Sequence, residues 1–585
     1  MRQSRISLRK IKRLQQVLGV LFIVAMLFGS APAALAGDTL SEVRTLLQNN
    51  YVDPVSDSVL SAGSIPEMLE RLGDPHTIFF TQQQFQAFLG SLEGIQFAGL
   101  GINIDMVSEG VKVTSVFPGS GAEKAGLKQG DIIIKAGQDS LAGITAEKAV
   151  SILRGDAGTF ILLTVKRGAS LLTLNVERKL IEIPTVSGNV VDGGLGYVNI
   201  RSFGTDTAAA LGKILGELRQ QSIKGWIIDL RNNPGGYLSS VVDLASYFIG
   251  PNKVVQVRER DGKVEELVSP THGFTLTEPV IFLTNDYTAS ASEILSAAVK
   301  DYKKATILGI TTYGKGTVQD MFNLSDGSVL KMTVAHFYSP FGLAINKVGI
   351  SPDLTIENTD PERAARLLLK SQDGVANEAN KQGFVQIKLP QQNFTVDLAD
   401  VRQPSYWSSY AEILTHLTVG EVVKGTALGW ENFASADFAQ GFPLFYPGYQ
   451  LVSTLKEVPQ DKKFTVHFSG QPDWQTVNAG TVELMNSYTG ERVPIAFKPQ
   501  GLSDVQVIPQ EKLVSGTTYW LVMHPGIKGV NGLVSAAGYI AEVLTAVPAQ
   551  ASTSSIKSAK AMGLGRARLK SGTYGEAVRS LRERE

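Results

Sequence analysis

The 585-residue chain balances 55 Lys and Arg against 55 Asp and Glu, is 43% hydrophobic and contains no cysteine. That length suits three or four domains with separate cores, and zero net charge argues against a nucleic-acid partner, which needs a basic face. The missing cysteine excludes disulfides, thiol catalysis and cysteine-bound metals, and six scattered histidines without H-E-x-x-H spacing give no metalloprotease signal.

Residues 1–36 read as an export signal. Arg2, Arg5, Arg9, Lys10, Lys12 and Arg13 precede the apolar run 17–28, and Ala34, Leu35 and Ala36 supply an A-x-A cleavage site. The run is about a dozen residues where a spanning helix needs about 20, so cleavage and export are expected ahead of a retained anchor. From 37 to 92 the pattern is helical and amphipathic, with Leu40, Val43, Leu46 and Leu47, then Met68, Leu69 and Leu72, then Phe85, Phe88 and Leu89. Gly73, Asp74, Pro75 and His76 interrupt it. His76 is a candidate base for a serine, set against a structural role in a turn beside proline.

Between 93 and 179 short β-runs alternate with glycine-rich turns around one helix at 145–153. The run Gly99, Leu100, Gly101, Ile102 can form a backbone nest for a terminal carboxylate, with a peptide adding as a strand beside 102–104. Ala149, Val150 and Leu153 would line an apolar groove, or belong to the core of a small β domain. Arg154 at the helix end reads as a cation favoured by the helix dipole. These features resemble a PDZ domain.

In 180–358 the apolar runs 196–200, 225–230, 280–283 and 305–310 alternate with helical patterns, as in an α/β layer. Asn232, Asn233, Pro234, Gly235 and Gly236 follow one run, and such a turn can bare backbone amides toward a ligand. Ser290 stands where a buried strand hands over to a helix, where unpaired N–H groups and the helix dipole favour negative charge. Ser290 to Glu293 is also a capping-box pattern, a purely structural reading. Lys315 lies between Gly314 and Gly316, and a desolvated lysine there could take a proton from a serine hydroxyl. Gln319 is four residues on, an offset that returns to the same face in a helix or a strand, so it is expected to bond the Lys315 amine.

Region 359–458 reads as a helix at 361–372 and a linker of undetermined fold. In 459–547 alternating β-runs at 464–468, 481–484, 505–509 and 518–523 suggest an immunoglobulin-like β-sandwich. Neither carries a candidate nucleophile or base, so a chain ending near Ser371 is expected to keep its activity. The tail 548–585 carries eight Lys and Arg against three Glu, a net +5 expected to be disordered and drawn to anionic surfaces.

Ser290-Ala-Ser-Glu293, Gly314-Lys315-Gly316 and Gln319, with 25 residues from serine to lysine, resemble the pattern of the C-terminal processing peptidases. Asp229-Leu-Arg-Asn-Asn-Pro-Gly-Gly236 and Gly349-Ile-Ser-Pro-Asp353 extend the resemblance over about 38–358. It implies a multidomain α/β protein with a crotonase/Clp-protease-like catalytic core (180–358), an inserted PDZ domain (93–179) and no cofactor or metal. It further implies Ser290 as nucleophile, Lys315 as general base and acid, Gln319 orienting the amine, and the Gly236 and Ala291 N–H groups as oxyanion hole. The apolar C-termini of unfolded or damaged polypeptides would be held by Gly99, Leu100, Gly101 and Ile102, with Arg154 linking occupancy to the protease. Envelope contact through the C-terminal domain and tail, and a homo-oligomer, are further expectations. The rivals are a non-catalytic PDZ scaffold or envelope adhesion protein that retains the fold, and a crotonase-like enzyme needing a coenzyme A site. The coexistence of Ser290, Lys315 and Gln319 disfavours the scaffold, and the PDZ insertion disfavours the coenzyme A enzyme.

Overall fold

Strands such as Gly225–Asp229 (GWIID) and Val280–Thr284 (VIFLT) have no polar face, which only a sheet covered on both sides accommodates. A computed structural model describes residues 36–92, 95–117, 119–371 and 380–547, and it contains such a sheet. The expected export signal and basic tail lie outside these residues. Six strands run in the order Val186–Val191, Leu195–Ile200, Gly225–Asp229, Val280–Thr284, Thr306–Gly309, Leu354–Thr355. The first pairs antiparallel and the others parallel. The period-two rule sorts their side chains cleanly: Trp226, Ile228, Val280 and Phe282 enter one core, Ile227, Ile281 and Leu283 the other. Helices Thr207–Arg219, Leu238–Leu244 and Ala291–Asp301 cover the first face. Ala291–Asp301 is buried continuously from Ala291 to Val299, so it is a core element.

The second core changes the reading of the C-terminal half. Region 359–458 is not a linker: the helix Pro361–Lys370, the helix Pro404–Thr415 and a four-stranded sheet pack against the second face of the central sheet. Leu367, Leu368, Trp407, Tyr410 and Phe445 share a core with Ile227, Ile281 and Leu308. Glu412 fastens the junction by accepting from the N–H groups of Glu357, Asn358 and Thr359 at 2.8–2.9 Å. Beyond it, a five-stranded and a three-stranded sheet enclose a further core of Phe464, Leu484, Val507, Leu521 and Val543. Trp520, Val522 and Ile540 of the larger sheet turn the other way, into the second core.

A five-stranded antiparallel sheet lies beside the central one and contains Ile78–Phe80, Lys253–Glu259, Val264–Val268, Thr317–Asn323 and Val329–Tyr338. The segment 37–92, expected to be helical on both sides of the interruption at 73–76, also contributes a strand between the helices Ile65–Leu72 and Gln82–Leu92. Val43, Leu47 and Met68 pack on Leu330 and Met332 of this sheet. The β-rich insert enters and leaves through Ile95–Gly99 and Lys179–Ile183, paired as a two-stranded antiparallel ribbon. Its own sheet has Ile102–Val107 at one edge, so that edge is open to strand addition.

Candidate active site

Ser290 sits where Val280–Thr284 and its loop pass into Ala291–Asp301, at φ 58° and ψ −118°. A serine adopts such a backbone only where its surroundings enforce it, and enforced strain of this kind clusters at functional sites. The enforcing bonds are specific. Glu293 reaches back to the Ser290 N–H at 2.9 Å, and the Ala289 N–H donates to the Asn233 carbonyl at 3.0 Å. Only half of the capping box forms. The Glu293 amide bonds the Ser290 backbone carbonyl at 2.8 Å and no side-chain cap bond is made, so the hydroxyl is left for other work.

The same Glu293 carboxylate builds the lysine loop. It accepts from the N–H groups of Gly314 at 2.6 Å and Lys315 at 2.8 Å and from the Thr312 hydroxyl. One buried side chain thus pins the backbones of Ser290 and Lys315 together. Burial pushes its own pKa up against those hydrogen bonds. The glycines flanking Lys315 are required by close approach. A Cβ at Gly316 would lie 2.3 Å from the Asn346 nitrogen, and one at Gly314 3.1 Å from the Val348 nitrogen. The segment 345–349 clasps the loop through Lys347 N–H to Gly314 carbonyl (2.7 Å). Desolvation pushes the Lys315 pKa down to about 7, aided by the neighbouring positive charge of Lys331.

Gly235 and Gly236 lie against the serine. A Cβ on Gly235 would meet the Ser290 Cβ at 2.8 Å and the Ala291 nitrogen at 2.9 Å. Gly236, at φ 155°, is locked by the Phe203–Gly236 bridge, with Phe203 N–H to Gly235 carbonyl (3.0 Å) and Tyr237 N–H to Phe203 carbonyl (2.8 Å). The Gly236 and Ala291 N–H groups donate to no described residue. Asn233, fully buried, holds the turn by donating to the Ile200 carbonyl (2.8 Å) and accepting from the Gly235 N–H (2.9 Å). Gly235→Ala is expected to displace Ser290 and lower turnover about a hundredfold, measured as kcat in a folded variant.

Gln319 departs from expectation. Lys315 precedes the strand Thr317–Asn323, and a bulge at Val318/Gln319 breaks the alternation on which the same-face argument relied. Its amide nitrogen bonds the hydroxyls of Thr317 (2.9 Å) and Thr333 (3.3 Å), with no hydrogen bond to the Lys315 amine among the described residues. His76 faces the site instead, its ring 6.3 Å from that of Tyr313. Burial and the nearby Lys315 charge hold its pKa down at about 4. Asp74 and Lys331, also at the site, were missed. A carboxylate in a Gly-Asp-Pro turn and a lysine in an apolar strand (VLKMTV) were the available signals.

In the insert, Gly99, Leu100, Gly101, Ile102, Val150, Leu153 and Arg154 line one groove of about 330 Å³ between the edge strand and the helix Ala146–Leu153. The carbonyls of Leu100 and Gly101 accept from Ala122 and Phe117 at 2.9 Å, so that this turn is held rigidly. Arg154 is the C-cap residue of the helix Ala146–Leu153, its N–H donating to the Val150 carbonyl. Arg178 serves the helix C-terminus as well, donating to the carbonyls of Ile152 and Leu153 at 3.1 Å.

Residues 194–356 match the family model Peptidase family S41, and 91–166 match the PDZ domain model. The chain is 36% identical over 345 residues to carboxy-terminal processing protease CtpB of Bacillus subtilis, covering 57% of this chain and 71% of that protein. It is 33% identical over 359 residues to the carboxy-terminal-processing protease of Bartonella bacilliformis, covering 60% and 80%. The chain belongs to peptidase family S41, among the PDZ-containing carboxy-terminal processing proteases. A solved photosystem II D1 C-terminal processing protease is similar at 28% identity over 57% of this chain and 97% of that one, with a TM-score of 0.37. This S41 peptidase is therefore a serine-type protease whose substrates are polypeptides.

Proposed function

We propose that this S41 peptidase is an exported endopeptidase that captures substrate C-termini in its PDZ groove and cuts with a Ser290–Lys315 dyad. The observation that carries it is the Glu293 carboxylate, which holds the strained Ser290 and the desolvated Lys315 in one site. Neutral Lys315 takes the Ser290 proton as the oxygen attacks the scissile carbonyl, then returns it to the leaving amine. The Gly236 and Ala291 N–H groups stabilise the oxyanion, helped by the positive end of Ala291–Asp301. Gln319 orients the amine through its carbonyl oxygen once substrate is bound. The parallel core supports a crotonase-like assignment, and the paired terminal sheets an immunoglobulin-like module suited to envelope contact. An unfolded protein with an apolar C-terminus should be cut by the mature chain and left intact by Ser290→Ala, and cutting by both would remove Ser290 from the chemistry.

The groove reading makes a separate demand. A nest of backbone amides recognises a free carboxylate, so amidating the substrate's C-terminus should slow cleavage about tenfold or more, one lost charge-assisted interaction. Equal kcat/KM for free and amidated ends would take the PDZ domain out of substrate selection.

A further inference from the structure

Backbone pairing of Gly225–Asp229 with Val280–Thr284 ends where the Leu230 N–H meets the Leu283 carbonyl (3.0 Å). Beyond that point the two loops, one leading to Gly236 and the other to Ser290, are joined on their solvent side by a pair of asparagines. The Asn285 side-chain oxygen accepts from the Asn232 N–H (3.0 Å), and the Asn285 side-chain nitrogen donates to the Asn232 side-chain oxygen (2.9 Å). The orientation is fixed, because the same Asn285 oxygen also accepts from the Tyr287 N–H (3.1 Å), and only an oxygen can face two amide hydrogens. Asn285 is itself anchored: its N–H donates to the Thr288 hydroxyl (3.0 Å), which donates in turn to the Leu230 carbonyl (2.8 Å). Asn232 is exposed and sits at φ 63°, in the left-handed region that a residue other than glycine occupies at a cost. That reversal carries the chain back across the serine, where the Asn233 carbonyl accepts from the Ala289 N–H (3.0 Å).

We propose that Asn285 is a positioning residue, whose side chain holds Asn232 in its left-handed conformation and so sets where the Gly236 N–H points relative to Ser290. The inference rests on the Gly236 N–H being an oxyanion donor. The buried end of the turn is already fixed, since the Asn233 side chain bonds the Ile200 carbonyl and the Gly235 N–H. Those bonds leave free the rotation about N–Cα of Asn232, where an unrestrained chain would relax to negative φ and swing the peptide planes that follow. The Asn285 amide controls that rotation directly. Its oxygen holds the N–H, which lies before the rotating bond, and its nitrogen holds the side chain, which lies after it. A donor displaced by such a swing costs little in substrate binding and more in the transition state, because it is aimed at an oxygen that gains its charge only there. The effect therefore belongs on kcat.

The test sets kcat and KM on one unfolded protein substrate beside the affinity for a peptide aldehyde, whose carbonyl carbon takes the Ser290 oxygen to form a hemiacetal. Thermal melts confirm that each variant folds. Asn285→Ala is expected to lower kcat about tenfold or more with KM little changed, and to weaken the aldehyde by a similar factor. Asn285→Asp keeps the oxygen that accepts from the Asn232 N–H, and the Asn232 amide can turn to donate to the second oxygen, so it should recover most of both losses. Asn232→Gly and Asn232→Val lose the same side-chain bond, but only valine resists the left-handed conformation, so valine should cost several-fold more kcat than glycine. If Asn285→Ala does not fold, the two Asn232 variants decide alone. Unchanged kcat and aldehyde affinity in Asn285→Ala, a loss confined to KM, or equal losses in the two Asn232 variants would overturn the inference. A wild-type chain that binds the aldehyde no more tightly than Ser290→Ala does would instead sink the site on which the inference rests.

Discussion

Lys315→Arg is expected to abolish peptidase activity, by about a thousandfold or more, although it keeps the length and charge of the side chain. A guanidinium cannot lose its proton in a protein, so it cannot accept one from Ser290. The wild-type rate should rise with pH through about 7 and level off, because the neutral amine is the active form and its pKa is held there by desolvation. The stability effect runs in the same direction with pH. The Lys315 pKa falls from 10.5 in the unfolded chain to about 7 in the folded one, so between these values the unfolded chain binds the extra proton and stability rises with pH. The penalty is fully present below about pH 7. Lys315→Met should therefore melt at a higher temperature than wild type at pH 6 while being equally inactive. Substantial turnover by Lys315→Arg would send the search for a base to His76, which is neutral at working pH and faces the same site.

Truncation after Ser371 is expected to destroy the catalytic domain. The sequence reading anticipated the reverse, since 359–585 holds no catalytic group. Its contribution is burial. Removing 372–585 leaves the helix Pro361–Lys370 on the central sheet but strips Pro404–Thr415 and the four-stranded sheet from its outer side, baring the core it shares through Leu367, Leu368 and Leu369. At about 2 kcal/mol for each buried aliphatic side chain the loss is roughly 6 kcal/mol, a large part of the whole stability of a domain. The truncated chain should be insoluble or molten, read by circular dichroism and size exclusion. A soluble, active, monodisperse product would show that the C-terminal half is dispensable.

What the sequence made legible follows from which physics is local. Strand GWIID and helix ASEILSAAVKD announce themselves by apolar period, and the Ser290, Lys315 and glycine-turn motifs by residue type at fixed spacing. The groove from Gly99 to Arg154 was readable for the same reason. The Lys315–Gln319 hydrogen bond expected from the four-residue offset is not formed, because a bulge at Val318/Gln319 leaves no trace in residue order. The linker reading of 359–458 failed differently. Its apolar pieces are short because they complete a core begun 160 residues earlier, and no window along the chain can show that. Asp74 was hidden likewise, since only the pairing of Ile78–Phe80 with Val329–Tyr338 brings it to Thr333 beside Gln319. The bonds of Arg178 to the helix carbonyls were hidden because two strands intervene between the cation and the carbonyls it serves.

The central claim is that Ser290 is a nucleophile made reactive by Lys315. A fluorophosphonate that phosphonylates activated serines with loss of fluoride, followed by peptide mass mapping, reads this without any substrate. The adduct should appear on Ser290 of the wild-type chain, accumulate faster as pH rises through about 7, and be absent from Lys315→Arg. Labelling of another serine, or undiminished labelling of Ser290 in Lys315→Arg, would contradict the dyad.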